Sequence, residues 1–124
     1  MTRQEFTEML QTMARGWTNK DYETVIQFFA DDVRYIDPVR YRIAGRADLL
    51  RFYENDEGYP EESVWHNIVF DEARQMGAGE YTYRGTHLYH GLVLIKVQDG
   101  RITHWREYQH ISDVTWEDFT AGFA

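Results

Sequence analysis

Trp105 and Glu107 are the pair of side chains best suited to chemistry, because they lie two positions apart in the predicted strand Arg101–Ile111. Alternation along a strand places both on one face. That face is not plainly apolar, although a face that covers helices should be, unless a pocket opens there. A carboxyl group beside a large aromatic ring in a cavity suits general acid–base catalysis. The alternative remains open: Glu107 is exposed, or pairs with an arginine such as Arg84.

Asp37 is the second candidate, at the end of the short predicted strand Val33–Asp37. Tyr35 lies on the same face, so a functional interpretation places Tyr35 and Asp37 in one cavity. The alternative is that Asp37 is a turn residue before Pro38, a common role for aspartate. Spacing alone favours the turn.

Other site classes find little support in the sequence. The chain has no cysteine, which excludes disulfides, thiolate zinc sites and a cysteine nucleophile. His87 and His90 would point to opposite faces of a strand, so we expect no metal ion. Gly77-Ala78-Gly79 falls in a predicted hairpin rather than between a strand and a helix, so it is not a phosphate loop. We therefore expect no cofactor.

Length and composition limit the classes of molecule that this protein is expected to bind. The chain has 124 residues, which predicts one domain over residues 1–124. Acidic residues number 21 against 13 basic ones, and the formal charge of -8 disfavours nucleic acid and anionic membranes. No apolar stretch approaches the roughly 20 residues of a membrane-spanning helix, and the first residues lack the apolar core of a signal peptide. These features predict a cytoplasmic protein.

The first half of the chain has helical periodicity. Thr2 and Glu5 have the spacing of a capping box, and apolar residues then recur at helical intervals, which predicts a helix over 3–17. A second stripe predicts a helix over 20–30, and a third helix follows Gly45. The run 40–42 reads as a solvated loop.

From Ser63 the period changes to two, as in strands. Asp99-Gly100 separates two of the strands and is a strong hairpin signal. Helices followed by a meander indicate an α+β fold, with three N-terminal helices on one face of a curved, mostly antiparallel sheet. The predicted strands are Val64–Asp71, Gly79–His87, Tyr89–Gln98 and Arg101–Ile111.

This pattern resembles the nuclear transport factor 2-like superfamily, and its SnoaL-like branch most closely. The first half carries the resemblance in Phe29-Ala30-Asp31-Asp32-Val33, Tyr35-Ile36-Asp37-Pro38 and Gly45-Arg46. The second half carries it in Asp99-Gly100-Arg101-Ile102 and Trp105-Arg106-Glu107-Tyr108. The resemblance implies a cone-shaped, cystatin-like fold in which the helices pack in the concave face of the sheet and a pocket opens at one end. It also implies that homodimers through the outer sheet face are common, and it specifies no reaction.

Comparison with ketosteroid isomerases implies that Asp37 matches the general base. It places Met13 at the oxyanion tyrosine and Val93 or Leu92 at the protonated aspartate, so steroid isomerisation by that mechanism is not expected. Met13 and Val93 are still expected to line the pocket.

Comparison with limonene-epoxide hydrolases implies that Tyr35 and Asp37 match a water-holding Tyr-x-Asn pair. Trp105 and Glu107 match a Trp-x-Asp pair whose carboxylate is catalytic. The remaining Arg-x-Asp segment of those enzymes is not kept.

Three functions follow from these observations. The first is a cofactor-independent enzyme of isomerase, cyclase, dehydratase or hydrolase type, with Asp37 and Glu107 catalytic. The second is a binding module that holds a small apolar or amphipathic molecule, and the third is a dimerising domain whose pocket is filled. An enzyme requires both carboxylates in one cavity, whereas a binding module requires only the cavity. A homodimer would use the face of Arg106, Tyr108 and His110. The predicted substrate-binding residues are Tyr35, Trp105, Val93, Met13, Gln109 and Tyr53.

Overall fold

The structure is a computed structural model that describes residues 1–123. Apart from one additional short strand, the helices and strands through residue 111 follow one another in the predicted order, with most of the helices first. The elements are α1 (Arg3–Thr18), α2 (Tyr22–Ile26), β1 (Phe29–Ile36), β2 (Arg42–Ala44), α3 (Arg46–Glu54), β3 (Glu62–Asp71), β4 (Met76–Arg84), β5 (Leu88–Gln98), β6 (Arg101–Ile111) and α4 (Trp116–Thr120).

The predicted capping box starts α1. The Thr2 hydroxyl accepts the Glu5 N–H, and the Glu5 carboxylate accepts the Thr2 N–H. Helix α2 is shorter than predicted, because β1 already begins at Phe29. There the Phe28 carbonyl accepts the N–H of Ile102 at 2.8 Å. Pairing with β6 therefore begins inside the segment that was predicted as helix.

The six strands form one sheet in the order β2-β1-β6-β5-β4-β3. Every neighbouring pair is antiparallel except β1 and β6, which are parallel. Asp99 and Gly100 both have positive φ, 52° and 77°, as a type I′ hairpin requires, so that prediction is confirmed. Strand β2 was not predicted, and its first residue, Arg42, was assigned to a loop. Its three residues are too few to show a period of two.

Gly77 and Gly79 lie inside β4, so the prediction that they mark a turn was wrong. A Cβ at Gly77 would lie 2.7 Å from the ring of Phe6, and one at Gly79 would lie 2.4 Å from the ring of Trp65. These glycines therefore allow α1 and Trp65 to approach the sheet closely.

Helices α1 to α3 cover one face of the sheet, and α4 packs on the other. On the covered face, Phe6, Leu10 and Trp105 are part of the buried core. On the outer face, the ring of His66 stacks on that of Trp116 of α4 at 3.7 Å. The fold class predicted from the sequence is confirmed. None of the helices within residues 1–123 is both long enough and apolar enough to cross a membrane.

Candidate functional site

An open cavity of about 450 Å³ lies between the helices and the covered face of the sheet. Of its twenty-two lining residues, twelve are aromatic: eight tyrosines, Phe52 and the three tryptophans Trp17, Trp65 and Trp105. A volume of this size is typical of small-molecule sites, which range from about 300 to 1,000 Å³.

Glu107 of β6 lies in the wall of this cavity and is 5% exposed. Its Oε1 accepts hydrogen bonds from the Tyr35 hydroxyl at 2.9 Å and from the Trp105 Nε1–H. Its Oε2 accepts one from the Tyr81 hydroxyl at 2.5 Å. Such bonds to a carboxylate are stronger than neutral ones. The three donors fix the orientation of the carboxylate.

Distant parts of the chain supply these donors. Parallel pairing of β1 with β6 places Tyr35 opposite Trp105, and their rings stack with centroids 5.5 Å apart. Tyr81 reaches Glu107 from β4, with β5 lying between β4 and β6. Its partner on β5 is Gly91, where a Cβ would lie 2.7 Å from the Tyr81 hydroxyl. Glycine at this position is therefore needed to accommodate Tyr81.

Burial keeps the tyrosines around Glu107 protonated. Burial raises the pKa of Tyr35 well above its ordinary value, and the negative charge of Glu107 raises it further. The same two causes, in the same order, raise the pKa of Tyr81 and of Tyr41. These phenols therefore act as hydrogen-bond donors, not as bases, at neutral pH.

Tyr53 has a buried hydroxyl group with no hydrogen-bond partner among the described residues. The side chain belongs to α3, is 8% exposed and lines the cavity. Burial raises its pKa, so the hydroxyl stays protonated. Tyr35 and Trp17 lie close enough to influence its pKa, but neither forms a hydrogen bond of normal geometry with it, so hydrogen-bonding capacity is left unused beside the cavity.

The cavity mouth combines acidic and aromatic residues. Asp56 pairs with Lys20 at 3.0 Å and accepts the Tyr22 hydroxyl at 2.8 Å. The Tyr22 hydrogen bond, followed by backbone and Lys20 contacts, lowers the pKa of Asp56 to about 2. On the other side, the Arg40 guanidinium lies 4.9 Å from the centroid of Tyr89.

Five of the eight predicted site residues line this cavity. Met13 and Val93 do not, because both are fully buried in the core below it. The five are Glu107, Tyr35, Trp105, Gln109 and Tyr53.

Asp37 does not share the cavity with Glu107, so the expected two-carboxylate arrangement is absent from the described structure. Its Oδ1 accepts the backbone N–H groups of Val39 and Arg40, both at 2.7 Å. Oδ2 lies 3.7 Å from the Arg40 guanidinium. The side chain is 6% exposed and faces a separate depression. Asp37 therefore occupies the position of a turn residue before Pro38, which was the alternative interpretation of the sequence.

Sequence reasoning left Tyr81 unassigned, because it did not decide which face of 80–84 points inward. Tyr81 and Tyr83 face the cavity, whereas Thr82 contacts His66 and His90 on the outer face. The sequence did contain one indication of the inward face. Gly77 and Gly79 are separated from Tyr81 by even numbers of positions and so lie on its face of the strand, and glycines permit close approach of other groups from that face. Tyr41 does lie in a loop, as predicted, but its side chain lines the cavity and is not simply solvated.

Within residues 1–123, no three His, Asp or Glu side chains converge as metal ligands would. The cavity is lined by tyrosine hydroxyls, carboxylates and one guanidinium. This arrangement can hold a small molecule, bind a charged or hydrogen-bonding group and exchange a proton at Glu107.

Known structures share this fold. An LEH-like epoxide hydrolase from M. tuberculosis is 24% identical, with 87% of this chain and 84% of that chain covered and a TM-score of 0.75. A candidate ketosteroid isomerase from Kribbella flavida DSM 17836 is 20% identical, with 91% and 83% covered and a TM-score of 0.76. A protein of unknown function with a cystatin-like fold from Methylobium petroleophilum PM1 is 17% identical, with 94% and 82% covered and a TM-score of 0.80.

No curated protein matches the chain at a significant level. The model of the SnoaL-like domain family matches residues 10–105. That range contains α2, α3 and β1 to β5, together with Trp105 of the cavity. Since the match extends over most of the chain, this protein belongs to the SnoaL-like domain family, in the nuclear transport factor 2-like superfamily.

Proposed function

We propose that this protein binds a small organic molecule in the cavity around Glu107. The observation that carries the proposal is the Glu107 carboxylate, which is buried, is oriented by three donors and lies in the wall of an open, unfilled cavity. Side chains do not fill the cavity, which argues against a purely structural domain. Asp37 faces elsewhere, which argues against catalysis by two carboxylates.

The aromatic walls favour binding on physical grounds. Ring contacts such as Trp17 with Trp105 (5.7 Å) and Trp65 with Tyr81 (5.4 Å) hold the walls in place before a ligand arrives. A preorganised site loses less conformational entropy on binding. The rings supply apolar contact area, while Glu107, Gln109 and the Tyr53 hydroxyl supply polar contacts.

The second candidate is acid–base catalysis by Glu107 alone, and the Tyr53 hydroxyl, which forms no hydrogen bond of normal geometry, favours it. One carboxylate can remove a proton from one substrate atom and return it to another, which is an isomerisation. A hydroxyl without a partner can donate a hydrogen bond to the negative charge that develops on the substrate. Structural likeness to an epoxide hydrolase and to a candidate ketosteroid isomerase agrees with this class.

Tryptophan fluorescence tests binding, because Trp105 lines the cavity whereas Trp116 lies on the outer face. Titration with a panel of small amines, alcohols and aromatic ketones should change the emission. Trp105→Phe should reduce the change, because Trp105 is one of the three tryptophans that line the cavity, and the matched control Trp116→Phe should retain it in full. No response to any compound, or a response lost only in Trp116→Phe, would contradict the proposal.

Deuterium exchange separates the two candidates. Binders are incubated with the protein in D₂O, and incorporation at carbon is followed by NMR. Exchange that depends on Glu107, and is lost in Glu107→Gln, indicates catalysis. Saturable binding without exchange indicates a binding protein.

A further inference from the structure

The charges around the cavity are unbalanced. Four of its lining residues are acidic and one is basic. Because an aromatic site is poorly solvated, this excess disfavours anionic ligands and favours cationic ones. The acidic residues are Asp56, Glu57, Glu61 and Glu107, and the basic one is Arg40.

Two of these charged groups already have partners. Asp56 forms an ion pair with Lys20 at 3.0 Å. Arg40 faces Asp37 at 3.7 Å and donates to the Tyr89 hydroxyl at 3.2 Å. Neither group therefore determines the charge that a ligand must carry.

Glu107 and Glu61 form no ion pair with any residue in 1–123. Glu61 is half-buried and faces the hydroxyl groups of Tyr22 and Tyr83, at 3.3 and 3.4 Å. Glu107 is almost fully buried, and its three donors satisfy its hydrogen bonding without supplying a positive charge. A buried carboxylate without a cation is electrostatically unfavourable, and a ligand cation would neutralise it.

The walls of the cavity suit a cation as well. Twelve lining residues are aromatic, and none of the lining residues within the described chain is aliphatic. Aromatic ring faces attract ammonium and guanidinium groups, whereas a neutral apolar ligand would be held equally well by aliphatic walls. At the mouth, the Arg40 guanidinium already lies over the ring of Tyr89.

Tyr53 supplies an independent observation. Its hydroxyl is buried and unpartnered, and its ring lies between those of Tyr22 and Tyr35, with centroids at 5.8 and 5.9 Å. The oxygen can accept an N–H from a protonated amine. This unused hydrogen-bonding capacity lies beside the aromatic cavity, where a small side-chain movement would bring it to a ligand.

We propose that the ligand is an organic cation, an amine or quaternary ammonium group on a small apolar body, whose charge lies against Glu107 within the aromatic walls. The inference rests on the proposed binding function and names the ligand class of that cavity.

Two pairs of compounds with matched shape test the charge. Choline is compared with 3,3-dimethylbutan-1-ol, and benzylamine with benzyl alcohol, by calorimetric titration at pH 7. We expect each cation to bind at least about tenfold more tightly than its neutral counterpart. Glu107→Gln should abolish this preference. Glu117→Gln, which removes the same charge from an exposed residue of α4, should keep it.

The comparison in the wild-type protein decides the inference even if Glu107→Gln does not fold. If the alcohols bind as tightly as the cations, or if only neutral members of the fluorescence panel bind, the cation inference is overturned and the binding function stands. If neither these four compounds nor the panel binds, both are overturned. A preference that persists in a folded Glu107→Gln variant overturns the role of Glu107.

Discussion

Removing the Tyr81 hydroxyl should destabilise the protein far more than removing that of its strand neighbour Tyr83. Tyr81 donates to the Glu107 carboxylate at 2.5 Å inside the protein, whereas Tyr83 donates to the half-buried Glu61 at 3.4 Å. Phenylalanine preserves the ring at both positions. The comparison therefore isolates one hydrogen bond to a buried charge.

The expected magnitude follows from that bond. A hydrogen bond to a charged group contributes about 1.5–3 kcal/mol, and a neutral or weakly formed one contributes about 1 kcal/mol or less. We expect Tyr81→Phe to lower the free energy of unfolding by about 2–3 kcal/mol. For a domain of this size, that corresponds to a fall in Tm of roughly 6–12 °C. Tyr83→Phe should cost less than about 1 kcal/mol.

Urea denaturation followed by tryptophan fluorescence measures both variants. In a Glu107→Gln background, the cost of Tyr81→Phe should fall below about 1 kcal/mol, because the charged acceptor is gone. If Tyr81→Phe costs no more than Tyr83→Phe in the wild-type background, Tyr81 does not support Glu107 and the description of the site is wrong.

Three further predictions concern residues outside the cavity. Asp37→Ala should lower the free energy of unfolding by about 1–2 kcal/mol, because two backbone N–H groups lose their acceptor. It should leave the ligand affinity measured by calorimetry unchanged. A large loss of affinity would show that Asp37 belongs to the binding site. Burial lowers the pKa of His66 from 6.5, so the folded state binds its proton less readily than the unfolded state. The stability that neutral His66 contributes should therefore be complete above about pH 6.5 and should be lost as the pH falls below that value. Thermal melts between pH 8 and pH 5 measure this: the Tm values of wild type and His66→Gln should differ most at pH 8 and approach each other at pH 5. Leu92 and Tyr108 pair across β5 and β6 on the outer face and are each 49% exposed. We propose that two copies of the protein pair through this face to form a homodimer. Tyr108→Glu should dissociate the dimer in sedimentation experiments. A wild-type protein that sediments as a single chain at tens of micromolar would contradict the proposal.

Local patterns in the sequence were sufficient for most of the fold. The capping box of Thr2 and Glu5, the period-two segments and Asp99-Gly100 depend on contacts between near neighbours in the chain. The capping box and the hairpin are found as predicted, and all four predicted strands exist, although β4 lies three residues earlier than predicted. The same alternation placed Trp105 and Glu107 together on the covered face, because β6 continues without interruption through both residues.

The alternation of side chains along β1 did not place Asp37 on the face of Tyr35, because the strand ends at Ile36. A side chain keeps the face of its strand only while the strand continues. Beyond that point the Asp37 carboxylate turns to the N–H groups of Val39 and Arg40.

Tertiary structure alone brought the cavity together. Tyr35 meets Glu107 across 72 positions and Tyr81 meets it across 26, through a parallel pairing of β1 with β6 and the register of three neighbouring strands. Both faces of Glu80–Arg84 carry residues that suit a strand, so local preference could not choose between them. Packing made the choice, since Gly79 and Gly91 leave room on the covered side for the rings of Trp65 and Tyr81. The sequence by itself determined most of the elements and one carboxylate, and long-range strand pairing decided what surrounds that carboxylate.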